Sequence, residues 1–237
     1  MEGLIAAPEQ RHRYAAPSGW RRLGAVDKAA NVVALCGALP HARVLEIGAG
    51  EGAVLARLAE LRFAAELHAL EVSEGAAELI RGLGIAGLAS AAAFDGYAIP
   101  HAAQSFDLAI LSHVVEHLEH PRALLREAAR VAAAVFVEVP LEDTWRLPRD
   151  FRRDAVGHVN FYSARSLRHL VQSCGLEVLG ERVANPSPAL QMFRHGALAG
   201  RLRWAVREAL LRAAPRLATS AFTYHGSLVC RAPAAPA

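Results

Sequence analysis

An apolar strand that runs into three alternate glycines constrains this chain more than any other feature. Residues 44–52 read Val-Leu-Glu-Ile-Gly-Ala-Gly-Glu-Gly and lead into the helical pattern Ala53-Val-Leu-Ala-Arg-Leu-Ala-Glu-Leu61. Glycines at a strand-to-helix turn permit a tight bend and let backbone approach a ligand with no Cβ in the way, while the helix N-terminus presents unpaired N–H groups. A nucleotide-like ligand follows from that combination. The spacing of Gly48, Gly50 and Gly52 departs from the dinucleotide fingerprint G-x-G-x-x-G, and an acid, Glu46, stands inside the strand just before the first glycine.

The rest of the chain supplies the setting. With 237 residues, 53% of them hydrophobic, it has material for one sizeable domain, or one domain with appended pieces. A net charge of +3 and a pI near 9.0 are mildly basic, and the arginines are spread out, so nucleic acid is not demanded as a partner. Cys36, Cys174 and Cys230 have neither C-x-x-C spacing nor an even framework and read as buried apolar residues in a reducing compartment. The N-terminus lacks a basic region followed by an apolar run, and no apolar stretch is long and charge-free enough to span a bilayer. A cytoplasmic protein, monomer or homodimer, is expected.

Strand and helix signals alternate. A helix over Leu23 to Leu39 precedes strand Val44–Ile47, and then come a helix from Ala53, strand Glu66–Glu71, a helix from Gly75 to Leu83, and strands Leu88–Phe94 and Phe106–Leu111. A helix over Pro121–Val131, strand Ala134–Val139, helix Ala164–Cys174 and strand Leu176–Val183 complete the series. Such alternation predicts parallel strands with helical crossovers, an α/β doubly wound sheet. The tail breaks the rhythm: Asn185-Pro-Ser-Pro188 reads as a loop, Ala199–Ala213 as an Arg-rich amphipathic helix, and Tyr224–Arg231 as a returning strand.

The pattern of apolar strand, acid and G-x-G-x-G resembles motif I of the class I S-adenosylmethionine-dependent methyltransferases. Ser105-Phe-Asp-Leu-Ala-Ile-Leu-Ser-His113 resembles their motif IV, and Val114-Val-Glu-His-Leu-Glu-His-Pro121 a segment of the ubiquinone-biosynthesis-like members. The resemblance covers about residues 23–183 and the last strand. It implies a Rossmann-like seven-stranded sheet with an antiparallel last strand, an N-terminal helical cap (1–40) and a cofactor-binding domain (41–237) with a C-terminal insertion at about 186–220. It also implies S-adenosylmethionine as cofactor. Gly48, Ala49 and Gly50 would face its methionine portion, with Glu46 near the ammonium group. Glu71 and Val72 would face the ribose, Asp95 and Gly96 the adenine, and Ser112, His113 and His117 the region of the methyl donor. Tyr14 and the Asp27-Lys28 pair resemble the cap that closes over the cofactor, although a surface salt bridge explains Asp27 and Lys28 equally well.

Competing readings attach to several of these residues. Ser73 is the better helix cap, which leaves Glu71 for a ligand, while Asp95-Gly96 is also a common turn. His113-Val-Val-Glu116-His117 matches the zinc-peptidase spacing H-x-x-E-H, but its place behind a complete cofactor signature argues against a metal. His117 fits a structural histidine bonded to backbone.

Methyl transfer requires a base only when the acceptor must lose a proton, and His113 and His158 are the candidates. Val139-Pro-Leu-Glu142 with Gly157-His-Val-Asn-Phe-Tyr-Ser163 resembles a subgroup of small bacterial methyltransferases acting on sugars or secondary metabolites. On that resemblance Glu142, His158, Asn160 and Tyr162 line the acceptor pocket, while Asn160 and Ser163 are also candidate caps for the following helix. The expected function is methylation of a small-molecule acceptor, with a hydroxyl preferred because no Asn-Pro-Pro-Tyr-type amide motif follows the fourth strand. RNA or protein methylation and cofactor binding without turnover are the alternatives. For Arg194, Arg201, Arg203 and Arg207 a solvated helix face is favoured over binding of an anionic substrate.

Overall fold

In the computed structural model, which describes residues 19–147 and 157–231, seven strands form one sheet in the order β3-β2-β1-β4-β5-β7-β6. The strands are β1 (Arg43–Ile47), β2 (Glu66–Glu71), β3 (Leu88–Ala93), β4 (Phe106–Ser112), β5 (Ala132–Pro140), β6 (Glu177–Ala184) and β7 (His225–Arg231). The first five are mutually parallel, and β7 runs antiparallel between β5 and β6. The chain order reverses between β1 and β4, so the crevice beyond their carboxyl ends is where a doubly wound sheet receives its ligand.

Period-two alternation decides which helices cover each face. Leu45, Ile47, Leu111, Val135 and Val137 point to α4 (Pro121–Val131) and α5 (Ala164–Gln172), where Leu124, Leu125, Leu167 and Leu170 meet them. On the opposite face Val44, Leu67, Leu108, Ile110 and Phe136 pack on Ala25, Ala29 and Val32 of α1 (Gly19–Cys36) and on Leu55 and Leu58 of α2 (Ala53–Glu60). The third helix, α3 (Glu74–Gly82), contributes Ile80. Strands buried on both faces explain the near-continuous apolar runs of β1, β4 and β5.

Two helices were not expected. The loop expected at Asn185 to Pro188 is present over 185–187 but ends at once in α6 (Pro188–His195): the Ser187 hydroxyl accepts from the Leu190 N–H, and Pro188 occupies the first turn, where its missing N–H is harmless. After α7 (Ala197–Ala213), a short α8 (Pro215–Ala221) fills the remaining gap before β7. Tyr14 and part of the loop between Leu141 and His158 lie outside the described residues. Asp27 and Lys28 do not form a pair: Asp27 accepts from the Ser187 N–H at 2.7 Å, tying α1 to the start of α6, and Lys28 faces the crevice.

Helix α7 crosses α6 at Gly200, where a Cβ would lie 2.5 Å from the Met192 backbone. Gly200→Ala must push the two helices apart, and a stability loss of about 1–3 kcal/mol is expected in thermal unfolding. Gly82→Ala, with nothing near its added methyl, is expected to leave the midpoint unchanged or slightly raised.

Candidate active site

The crevice at the carboxyl ends of the strands is a cavity of about 960 Å³, at the upper end of the range for small-molecule sites. Every residue assigned from the sequence to the cofactor lines it, and so do Glu142 and His158.

At the β1 end, Gly48 and Gly50 have φ of +73° and +59°, in the left-handed region where a side chain is strained. A Cβ on Gly48 would also lie 2.6 Å from Val114 Cγ2. The Gly48 and Ala49 N–H groups donate to Leu70 O, and the Gly50 N–H donates to Glu71 Oε2 at 2.9 Å. Glu71 Oε1 accepts from the Val72 N–H, so the carboxylate at the end of β2 props the glycine loop open while its remaining lone pairs face the cavity. Burial raises the Glu71 carboxyl above its ordinary range, and those two N–H bonds oppose the rise. Ser73 precedes α3 as expected but makes no side-chain cap bond.

Glu46 is buried, and its Oε2 has no partner. Burial pushes its pKa to about 8, with Lys28 opposing the rise and Glu71 adding to it. An enclosed, unpartnered carboxylate oxygen on a cavity wall is suited to a cationic ligand group. Asp95 also reaches the cavity, but its Oδ1 closes a turn by accepting from the Tyr97 and Ala98 N–H groups.

The centre of the cavity is built on a carboxylate that sequence reasoning passed over. Glu138 on β5 is fully buried and pairs in register with Ser112 of β4 and Ser227 of β7. Both hydroxyls donate to it, at 3.2 and 2.8 Å, and Asn31 of α1 donates at 2.7 Å. His113 Nε2 and His225 Nδ1 lie 3.5 and 3.7 Å from Glu138 Oε1. Burial alone would raise the Glu138 pKa, but the close approach of the His113 ring and the fields of His225 and Lys28 outweigh it and hold it at about 2. His113, at φ +59°, is lowered to about 3, chiefly by burial and then by Lys28. Its Nδ1 faces Glu116 Oε1 at 3.4 Å, and burial lifts Glu116 to about 7. The consistent charge assignment is a neutral imidazole between an ionised Glu138 and a Glu116 that shares its proton near neutrality. The signal for Glu138 was a lone acid inside the apolar run Val135-Phe-Val-Glu-Val139.

His113 and His117 do not stand one α-helical turn apart. Val115–His117 is a 3₁₀ turn. Among the described residues, the side chains that approach one another as potential metal donors form two separate groups, His113 with Glu138 and His225, and Glu116 with His117 and His158. The zinc-peptidase arrangement is therefore absent from the H-x-x-E-H segment. His117 Nδ1 contacts Gly157 O at 3.1 Å, the backbone bond expected of it, and its ring also lines the cavity.

On the cavity wall formed by Glu142 and His158, His158 Nδ1 lies 2.7 Å from Glu142 Oε2. Asn160 and Tyr162 do not line the cavity, which corrects their assignment to the acceptor. Asn160 Nδ2 donates to Leu118 O and Val115 O, and the buried Tyr162 hydroxyl reaches Val115 O, so both secure the 3₁₀ turn from behind. Ser163 forms a capping box with Ser166 at the start of α5. The α6–α7 arginines divide: Arg194, Arg203 and Arg207 line the cavity, Arg207 buried and Arg203 half-buried where a solvated face was expected, while Arg194 at the cavity rim and Arg201 outside it are exposed as expected.

Residues 9–181 match a family model described as a methyltransferase domain. The chain belongs to that family, and fold and family together define a class I S-adenosylmethionine-dependent methyltransferase. No curated protein matches it. Solved structures of similar fold include the [4+2]-cyclase SpnF (18% identity, TM-score 0.64, 92% of this chain and 85% of that one). Another is the complex between a Haloferax volcanii protein and the Trm112 methyltransferase activator (15%, 0.63, 97% and 100%). A third is an S-adenosylmethionine-dependent methyltransferase from Aquifex aeolicus (16%, 0.58, 96% and 100%).

Removing the central carboxylate strands the Asn31, Ser112 and Ser227 donors together. Glu138→Ala is expected to cost about 3–5 kcal/mol in urea denaturation, whereas Glu177→Ala, whose pair with Arg231 is largely exposed, should shift the midpoint little.

Proposed function

We propose that this chain methylates a hydroxyl of a small acceptor, a sugar or secondary metabolite, in the cytoplasm, as a monomer or homodimer and without a metal. The observation that carries the reading is the His158–Glu142 pair on the wall of the same cavity that holds the glycine loop and the unpartnered Glu46. S-adenosylmethionine supplies, when bound, a methyl carbon already activated by a positively charged sulfur. The chain's task is then to align the acceptor, exclude water and take its proton.

Glu46 would receive the cofactor's ammonium, Gly48 and Gly50 would admit its backbone-like portion, and Glu71 would accept from the ribose hydroxyls. His158 would accept the acceptor proton, with Glu142 fixing the tautomer and stabilising the imidazolium that forms. His113 is poorly suited to that step, because a ring lowered to about 3 holds a proton weakly near neutrality. It would instead position the acceptor as a neutral group. The His113, Glu138 and His225 cluster serves hydrogen bonding in this reading, since Asn31, Ser112 and Ser227 already donate to Glu138 and the charge of Lys28 bears on it.

Release of S-adenosylhomocysteine over a panel of hydroxylated acceptors tests the reaction. His158→Gln is expected to lower kcat about 100-fold or more with cofactor affinity unchanged, and Glu142→Gln should fall in the same direction. Full activity in His158→Gln would contradict the assignment of the base.

Glu46 supports a separate test. Its raised pKa means that the ligand-free protein holds a proton there between about pH 4.5 and 8, and an arriving ammonium favours the ionised form. Calorimetry at pH 7 in buffers of different ionisation enthalpy should show about one more proton released on cofactor binding by the wild type than by Glu46→Gln. Equal release would remove Glu46 from the ammonium site.

A further inference from the structure

The end of the cavity proposed for the acceptor is walled by arginines that have no acidic partner among the described residues. Arg146, Arg203 and Arg207 gather round one ring, their guanidinium carbons 5.1, 5.8 and 5.4 Å from the centre of Phe222. Arg207 also lies 4.7 Å from the centre of the Tyr224 ring. Arg194, which stacks over Trp20 at 5.5 Å, lines the same cavity. Elsewhere the chain pairs even well-exposed arginines with carboxylates, as in Arg43–Glu66, Arg81–Glu74, Arg168–Glu181 and Arg231–Glu177. Among the described residues, none of the four cavity arginines has such a partner.

Their placement is costly. Arg207 is buried; its Nε donates to Asn185 Oδ1 and its Nη2 to Thr223 O. Arg203 Nε is enclosed and unpartnered. Arg146 and Arg194 complete the cluster from the exposed rim, and like charges brought together beside the desolvated Arg207 and the enclosed Arg203 Nε repel unless an anion completes the site. Phe222 and Tyr224 hold the guanidinium groups by cation–π contact, so the forks are set in place before any ligand arrives.

The location gives the site a function. Arg207 is anchored to Thr223, two residues before His225, and the His225 ring centre is 5.0 Å from that of His113. Glu46 and Glu71 come from β1 and β2, across β4 and β5 from β7. The cavity is thus acidic at the end proposed for the cofactor and basic at the end left for the acceptor.

We propose that the methyl acceptor is itself an anion, whose carboxylate or phosphate group is bound by Arg146, Arg203 and Arg207 next to His225. This rests on reading the cavity as a methyltransferase acceptor pocket. The planar fork of arginine meets either group through paired, charge-assisted hydrogen bonds, so the site sets both the specificity for a charged acceptor and its orientation.

The test is an NMR titration of the S-adenosylhomocysteine-loaded protein with sodium phosphate and, separately, sodium benzoate, in chloride-free buffer. At least one anion should shift the amide signals of Phe222 and Thr223. Arg203→Gln and, from a different segment, Arg146→Gln should each weaken that binding at least about tenfold, while Arg201→Gln, exposed on the same helix as Arg203, should not. Thermal unfolding and S-adenosylhomocysteine affinity verify that each variant is folded and holds the cofactor product. A response to phosphate alone or to benzoate alone identifies the group, and either supports the site. Anion binding that is absent in the wild type, or equal in the wild type and both cavity variants, would overturn it. Failure of the wild type to bind S-adenosylhomocysteine, with anion binding intact, would instead defeat the proposed function and leave the arginine site standing.

Discussion

A single buried carboxylate organises the centre of this protein. Glu138 sits in register between Ser112 and Ser227, so β4, β5 and β7 each present a polar group at the same level of the same sheet face, and Asn31 of α1 closes over them. An ionised group inside apolar walls is stable only if its lone pairs are met. Meeting them fixes α1 across the strand ends and aligns His113 and His225 along the cavity. Asn31 also accepts from Arg182 of β6, which carries the same network to the sheet edge. The end proposed for the cofactor and the end proposed for the acceptor therefore share one floor.

The two ends differ in how they are prepared for charge. At the first, backbone conformation does most of the work: positive-φ glycines keep the cavity wall free of side chains, Glu71 braces the loop through the Gly50 N–H, and Glu46 Oε2 is kept without a partner. At the second, side chains do it, with the His158–Glu142 pair and the arginines around Phe222 projecting from segments outside the parallel core. A common cofactor site on the parallel strands and a variable acceptor site on loops and added helices is the division expected of a fold that serves many substrates. SpnF, whose fold is similar, is described as a [4+2]-cyclase.

Much of this was legible in the sequence. The doubly wound order could be read because the strands are buried on both faces and give unbroken apolar runs, and the glycine spacing together with Glu46 and Glu71 located the crevice. Residues whose importance depends on register were not legible. Ser112 and Ser227 are 115 positions apart in sequence and meet only through Glu138, and nothing local to His225 announces a neighbour on β4. Asn160 and Tyr162 were misplaced because a motif resemblance gives position along the chain and not the direction of a side chain; both turn inward to carbonyls of the 3₁₀ turn. Ser187-Pro188 did carry a helix-start signal, and reading only a loop there hid α6 and its Arg194; α7 was read as a helix, but nothing local to Arg203 and Arg207 showed that they turn to the cavity.

The central claim is that one cavity holds the cofactor at its acidic end and leaves its basic end for the acceptor. A crystal structure with S-adenosylhomocysteine tests this most directly. The expected result is one molecule per chain, with its ammonium within hydrogen-bond reach of Glu46 Oε2, its ribose hydroxyls on Glu71 and its sulfur directed toward His113. A molecule bound outside the cavity, or lying in reverse with its ribose among Arg203, Arg207 and Phe222, would contradict the account.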